Sequence, residues 1–224
     1  MTLRDAVSTN TGRRAVITFD DGYADNFTNA LPVLEKHNVP ATVFIVTGDV
    51  GQQDVVWEEA CEDLPADILD WRQISELGSK GWEIASHADE HVHLERRSES
   101  EQMEIIGRSI DKLEAMTGES PVSFAYPYGS YNRDTKNVLK RLGIRAAVTI
   151  NPTRADDDLS ARDLLELPRL AVGGRHFYHY LRIFRQTVRV AGLLPEKFIG
   201  LPDRSAAGAW PDRSSRLAND EIVP

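Results

Sequence analysis

Cysteine is nearly absent from this sequence. The single thiol, Cys61, cannot close an internal disulfide, and it leaves the redox compartment open. Long apolar runs are missing too. No stretch approaches the roughly 18 apolar residues of a membrane span, and Met1 to Arg14 has no apolar core of the kind a secretory leader needs. The chain as it stands therefore reads as cytoplasmic, with no membrane span; an extracytoplasmic location stays open if the N-terminus is incomplete. Positive charge is in deficit: 26 Lys and Arg face 35 Asp and Glu, a formal net charge of −9. Basic residues lie scattered among acids, which argues against a nucleic-acid partner, because phosphate binding needs them clustered. What is present is the balance of one globular domain with a sizeable core, 41% hydrophobic and 27% charged over 224 residues.

Short β-rich runs alternate with longer segments of helical period, the pattern of βα units around a parallel sheet or barrel. Strands are expected at Ala15–Phe19, Ala41–Val46, Trp82–Ser86, Val122–Tyr126, Ala146–Ile150 and Leu167–Val172. Helices are expected at Asn26–His37, from an Asp70 cap through Trp71, Ile74 and Leu77 to Gly81, and at Ser98–Thr117, Asn132–Leu142 and His176–Val190. From Gly200 to Pro224 the apolar period disappears among Pro, Gly, Ser, Asp and Arg. Residues 1–199 are thus expected to form the domain and 200–224 a loosely ordered tail.

Three clusters end predicted strands, where a βα barrel places its active site. The first is Thr18-Phe19-Asp20-Asp21-Gly22-Tyr23. Two adjacent acids in a partly desolvated position repel unless a cation lies between them. With one carboxylate on a divalent ion, the other can stay ionised and accept a proton from water. A plain strand-ending turn would leave the same local pattern. The second is His87-Ala88-Asp89-Glu90-His91, followed by His93. Histidines at i and i+4 on one helical face could offer two nitrogens to one ion, and with Asp21 they make a facial set that leaves positions open. Alternatively the pair is structural, and His93, which breaks the spacing, reads as a surface or supporting residue. The third is Phe124-Ala125-Tyr126-Pro127-Tyr128-Gly129-Ser130-Tyr131, a strand running into an aromatic turn that would expose backbone N–H groups and ring faces at the rim.

In this order, TFDDG, SHADEH and FAYPYG resemble the first three motifs of the polysaccharide deacetylases, the NodB-homology or carbohydrate esterase family 4 proteins. The resemblance runs from about Ala15 to Val172. FAYPYG and the LPVL…PATVF stretch are most similar to the branch that de-N-acetylates poly-N-acetylglucosamine. The resemblance implies an α/β fold, a distorted (β/α) barrel, with one divalent metal ion, often zinc, and hydrolysis of an acetamide on a glycan substrate. It also implies Asp20 as general base, Asp21, His87 and His91 as metal ligands, and the Tyr128 N–H as oxyanion donor. Tyr126, Pro127 and Tyr131 would then contact the sugar.

The chain departs from the family pattern in three places. Ala88 stands where many members have a Ser or Thr that braces the histidine loop. Ala125 stands where many have an Arg that pairs with the base, and Arg169, in Leu167-Pro168-Arg169, is the residue that could approach the same rim. No Leu-x-His near the C-terminus supplies a proton donor, which leaves His176 and His179 as candidates. Two other readings stand beside deacetylation: hydrolysis of a non-sugar amide at the same metal site, and a catalytically weak glycan-binding module. Trp57, Trp71 and Trp82 read as packing residues. Asp156-Asp157-Asp158 reads as a solvated loop and Arg182, Arg185 and Arg189 as a solvated helix face.

Overall fold

The computed structural model describes residues 1–9, 15–56, 66–150 and 163–170. All of them lie in one compact unit, Met1–Ala171. Trp57, the Asp156–Asp158 run, the expected helix at 176–190 with His176 and His179, the end of the expected strand at 171–172, and the boundary at residue 199 lie outside the described residues.

Five short strands carry the fold: β1 (Thr18–Phe19), β2 (Thr42–Ile45), β3 (Glu83–Ser86), β4 (Ser123–Ala125) and β5 (Ala146–Val148). They pair in parallel in the order β1-β2-β3-β4-β5, and Leu167 extends the sheet by a parallel bridge to Val148. The sheet curls into a half-barrel with helices outside, the α/β arrangement expected of the NodB type. Side chains alternate between the two faces of the sheet. Phe44, Ala85, Ala125, Ala146 and Val148 face inward with Leu167. Val43, Ile45 and Ile84 face outward against Ile74, Leu77 and Trp82. Phe124 and Ala147 do the same against Ile105, Ile106, Val138 and Leu139.

Three helices follow from local signals: α3 (Trp71–Ser79), α4 (Glu99–Thr117) and α5 (Arg133–Arg141) start at capping boxes on Asp70, Ser98 and Asn132. The helix expected at Asn26–His37 divides. Asn26–Ala30 is a π-turn, in which Leu31 N–H donates to Asn26 O, and α2 is confined to Leu31–Lys36. Pro32, in the first turn of α2, has no N–H to give the preceding turn and its ring crowds it, so the chain widens there. One helix was not expected at all. α1 (Leu3–Ser8) begins at a Thr2–Asp5 capping box, and its Leu3 packs into the inner layer of the half-barrel. The Leu3 and Arg4 N–H groups donate to Thr42 Oγ1 (2.9 Å) and to the buried Glu83 Oε2 (2.8 Å), tying α1 to the bottom of β2 and β3. At six residues the helix is too short to show a period, and tertiary contacts hold it.

Because the strands are parallel, all their C-terminal ends open on one rim. Asp20 and Asp21 leave β1 there, His87 leaves β3, and Tyr126 leaves β4. Arg169, two residues past Leu167, reaches Thr18 Oγ1 at 3.2 Å. A side chain thus links the two margins of the curl.

Candidate metal and catalytic site

Asp21 and its neighbour diverge because the chain reverses between them and the next strand. Asp21 (φ 72°) and Gly22 (φ 73°) are both left-handed, a conformation that Asp tolerates and Gly takes freely. A Cβ on Gly22 would also meet Ile45 Cδ1 at 3.1 Å. The turn sends the two carboxylates to different partners. Asp21 Oδ1 lies 3.2 Å from His87 Nε2 and 3.5 Å from His91 Nε2. Asp20 takes both guanidinium nitrogens of Arg169 at 2.6 Å each, in a bidentate pair. Arg169 is itself fixed by Nε donating to Thr149 O (3.1 Å) and by lying 5.8 Å over the Phe44 ring.

The two histidines do not share a helical face. His87 continues β3, donating its N–H to Ile45 O at 2.9 Å, and residues 87–93 form an irregular loop. Ala88 turns left-handed (φ 65°), and the chain comes back so that His91 faces Asp21. A loop closes the cluster that helical spacing was expected to close. Nor is the loop loose without a hydroxyl at position 88. Ala88 is fully buried, its N–H donates to Ser86 Oγ (3.2 Å), and its carbonyl accepts Thr47 N–H (3.1 Å).

The donor set fits a divalent cation. One carboxylate oxygen and two imidazole nitrogens lie within 4.8 Å of one another. His87 Nδ1 contacts Ala125 O at 2.8 Å, and donating there leaves the Nε2 lone pair directed at the Asp21 side. Charge points the same way. Burial disfavours a proton on His87, yet the Asp21 hydrogen bond and the charges of Asp20 and Asp21 outweigh it and raise its pKa above the ordinary imidazole value. For Asp20, burial pushes the carboxyl up. The Arg169 hydrogen bonds, with the charges of His87, Arg169 and His91, more than offset this and hold it below the ordinary carboxylate value.

The third cluster divides. Tyr126 is 1% exposed, stacks on Tyr131 (4.4 Å) and donates its hydroxyl to Leu165 O at 2.8 Å, and burial raises its pKa. Phe124 and Tyr126, two residues apart, share the outer face, so Tyr126 points into the helix layer and not to the rim. Pro127 is buried as well. Neither offers a face to a sugar, which corrects two of the expected substrate contacts; Tyr131 keeps part of its surface open. Tyr128, left-handed at φ 56°, packs its ring between His91 (4.2 Å) and His93 (4.3 Å, stacked). Of the five non-glycine residues with positive φ among the described residues, three (Asp21, Ala88, Tyr128) sit at this rim. Strain of that kind gathers where a site over-determines its backbone.

Thr47, Arg108 and Lys112 surround Asp89 within the histidine loop, and none of the four was expected from sequence to serve the site. The available signal was a basic pair at i, i+4 on the helix following a histidine motif that contains an acid.

A carboxylate and two imidazoles at the C-terminal rim of a parallel half-barrel could hold a metal ion, beside a second carboxylate paired to arginine. The family model for polysaccharide deacetylase matches residues 8–147, and the chain belongs to that family. It is 28% identical over 179 residues to the poly-beta-1,6-N-acetyl-D-glucosamine N-deacetylase of Staphylococcus aureus (strain MRSA252), an alignment covering 76% of this chain and 58% of that one. Similar solved structures include two deacetylase-family relatives at 26% and 28% identity. The Streptococcus pyogenes deacetylase PplD, in complex with acetate, has a TM-score of 0.61 at 28% identity, covering 74% of this chain and 69% of that one. IcaB from Ammonifex degensii has a TM-score of 0.64 at 26% identity, with coverage of 77% and 73%. The chain spans about half the length of the curated relatives it matches. No helix among the described residues is long and apolar enough to cross a membrane.

Proposed function

We propose that this chain is a metal-dependent hydrolase that removes N-acetyl groups from an N-acetylhexosamine polysaccharide. The observation that carries the reading is the division of two adjacent carboxylates, Asp20 to a guanidinium and Asp21 to two imidazoles. Asp21, His87 and His91 would hold one divalent ion, with zinc suited to a mixed nitrogen and oxygen set. Bound there, the ion would act as a Lewis acid toward the acetyl carbonyl and make water a better nucleophile.

The chain's own residues do the rest. Asp20, ionised and held in one orientation by Arg169, accepts the proton of the attacking water. Arg169 trades basicity for position: it lowers the affinity of Asp20 for a proton but keeps it an acceptor at neutral pH. The Tyr128 N–H, on the turn that packs against His91, donates to the acetyl oxygen as that atom gains charge. Such a donor is worth on the order of 3 kcal/mol in the transition state. As the C–N bond breaks, the proton that Asp20 took from the water passes to the departing nitrogen, which releases acetate and a free amine on the glycan. The polysaccharide is assigned from the family match and from the named substrate of the Staphylococcus aureus relative.

The test is acetate release from poly-N-acetylglucosamine and from chitooligosaccharides, by zinc-loaded and by chelator-treated protein. Release that requires metal and a sugar acetamide is expected. Hydrolysis confined to simple non-sugar amides, or glycan binding with no acetate formed, would overturn the proposal.

A further inference from the structure

The loop that carries both histidines pivots on one side chain. Asp89 is 6% exposed, and every polar group it has is engaged. Its Oδ1 accepts from Thr47 Oγ1 (2.6 Å) and from Lys112 Nζ (2.6 Å), and its Oδ2 accepts from Arg108 Nε (3.0 Å). Its N–H donates to Ile105 O (3.2 Å) and its carbonyl accepts Gly48 N–H (2.9 Å). The partners come from two directions: Thr47 and Gly48 from the end of β2, and Ile105, Arg108 and Lys112 from α4. The approach to β2 is closer than a side chain would allow, since a Cβ on Gly48 would lie 2.3 Å from Asp89 O. Arg108 extends the grip to the next residue by also bonding Glu90 Oε1, and Glu104 steadies it from the preceding turn of α4.

This wiring is more than the fold needs to end a strand. A carboxylate buried to this degree is costly unless paired, and here two cations and a hydroxyl pair it. The backbone it holds is not at its own minimum, because Ala88 is left-handed, a conformation that an L side chain disfavours. His87 lies two residues before Asp89 and His91 two residues after. The position of Asp89 therefore sets how far apart the two Nε2 atoms stand when both face Asp21 Oδ1.

We propose that Asp89 is the positioning residue of the metal centre: clamped by Thr47, Arg108 and Lys112, it fixes the loop so that His87 and His91 meet one ion. The inference rests on the reading that Asp21, His87 and His91 bind a metal. It assigns Asp89 no contact with metal or substrate.

The experiment compares wild type, Asp89→Asn, and the double variant Arg108→Met with Lys112→Met, whose side chains lie on the partly exposed flank of α4 and whose loss leaves the Asp89 carboxylate with Thr47 as its remaining side-chain partner. Zinc affinity is measured by competition with a chromophoric chelator, at a temperature where circular dichroism shows each variant folded. Hydrogen exchange of residues 86–92 is followed separately in chelator-treated protein. Zinc affinity should fall by about 10- to 100-fold in both variants, the range for losing a partner that orients a metal ligand. Exchange should rise in residues 86–92 and stay unchanged in α3. Thr47→Val added to Asp89→Asn should cost less than the sum of the two, because they share one interaction. Zinc affinity within twofold of wild type in both variants, or exchange that rises evenly across the chain, would overturn the proposal. If wild type itself bound no zinc, the metal reading would be what failed, and the exchange of residues 86–92 would still decide whether Asp89 clamps the loop.

Discussion

Replacing Arg169 perturbs the one interaction that distinguishes Asp20 from Asp21. The pair is partly exposed, 17% for the arginine side chain and 28% for the carboxylate, so the full cost of breaking a buried ion pair does not apply. Two charge-assisted bonds of 2.6 Å are lost all the same, together with those to Thr18 and Thr149. Arg169→Met should therefore destabilise the chain by about 1.5–3 kcal/mol, a fall in Tm on the order of 5 °C for a chain of this size. Arg169→Lys should recover part of that, because an ammonium can replace one bond of the fork but not its planar geometry. The effect on rate should exceed the effect on stability. Asp20 would be free to rotate, and a misplacement of about 1 Å can cost on the order of 10²-fold. The pH dependence has a definite sign. Burial alone raises the Asp20 pKa and Arg169 lowers it, so the acid limb of kcat/KM should move to higher pH in Arg169→Met. The Asp20 contribution to stability should run in parallel. It is complete above the ordinary Asp pKa, is lost as pH falls through the lower folded value, and should shrink in the variant. Thermal unfolding and acetate release across pH measure all of this. An Arg169→Met variant with unchanged Tm, rate and acid limb would refute the argument.

Two further substitutions separate packing from chemistry. Tyr126→Phe removes a buried hydroxyl that donates to Leu165 O. It should cost about 1–2 kcal/mol in chemical denaturation and leave KM for the glycan unchanged, whereas a raised KM at unchanged stability would return Tyr126 to the sugar site. Gly48→Ala would place a methyl against the Asp89 carbonyl. Relief requires the loop to move, so stability should fall by about 1–3 kcal/mol and zinc affinity with it; a variant that keeps both would show that the contact relaxes without strain.

Much of this architecture was legible because local and tertiary preferences agree. Asp70, Ser98 and Asn132 announce α3, α4 and α5 by capping chemistry that needs no partner beyond the first turn. The apolar runs behind β2 to β5 are dense enough to be read directly, and the three motifs mark the rim. The failures share a cause, which is dependence on contacts remote in sequence. α1 exists because Thr42 and Glu83 receive its N-terminus. Tyr126 is in the core because the alternation begun at Phe124 runs one residue past the strand. The His87 and His91 spacing suggested a helix, but the ladder from β2 holds His87 extended and Asp89 pulls the following turn toward α4. Asp89 itself looks like one more surface acid until Lys112, 23 residues later, is placed beside it. Arg169 was legible as a candidate from its position after Pro168, while its geometry came only from the curl of the sheet that brings it to Thr18 and Asp20.

The most direct measurement of the central claim is metal stoichiometry in two variants that differ by one position. Asp21 faces both imidazoles and Asp20 faces Arg169, so the two carboxylates should not be interchangeable. After zinc loading and gel filtration, wild type and Asp20→Asn should each retain about one ion per chain, while Asp21→Asn should retain none, consistent with its loss as one of three protein ligands. Equal loss in both variants, or full retention in Asp21→Asn, would contradict the assignment of one carboxylate to the metal and the other to the proton.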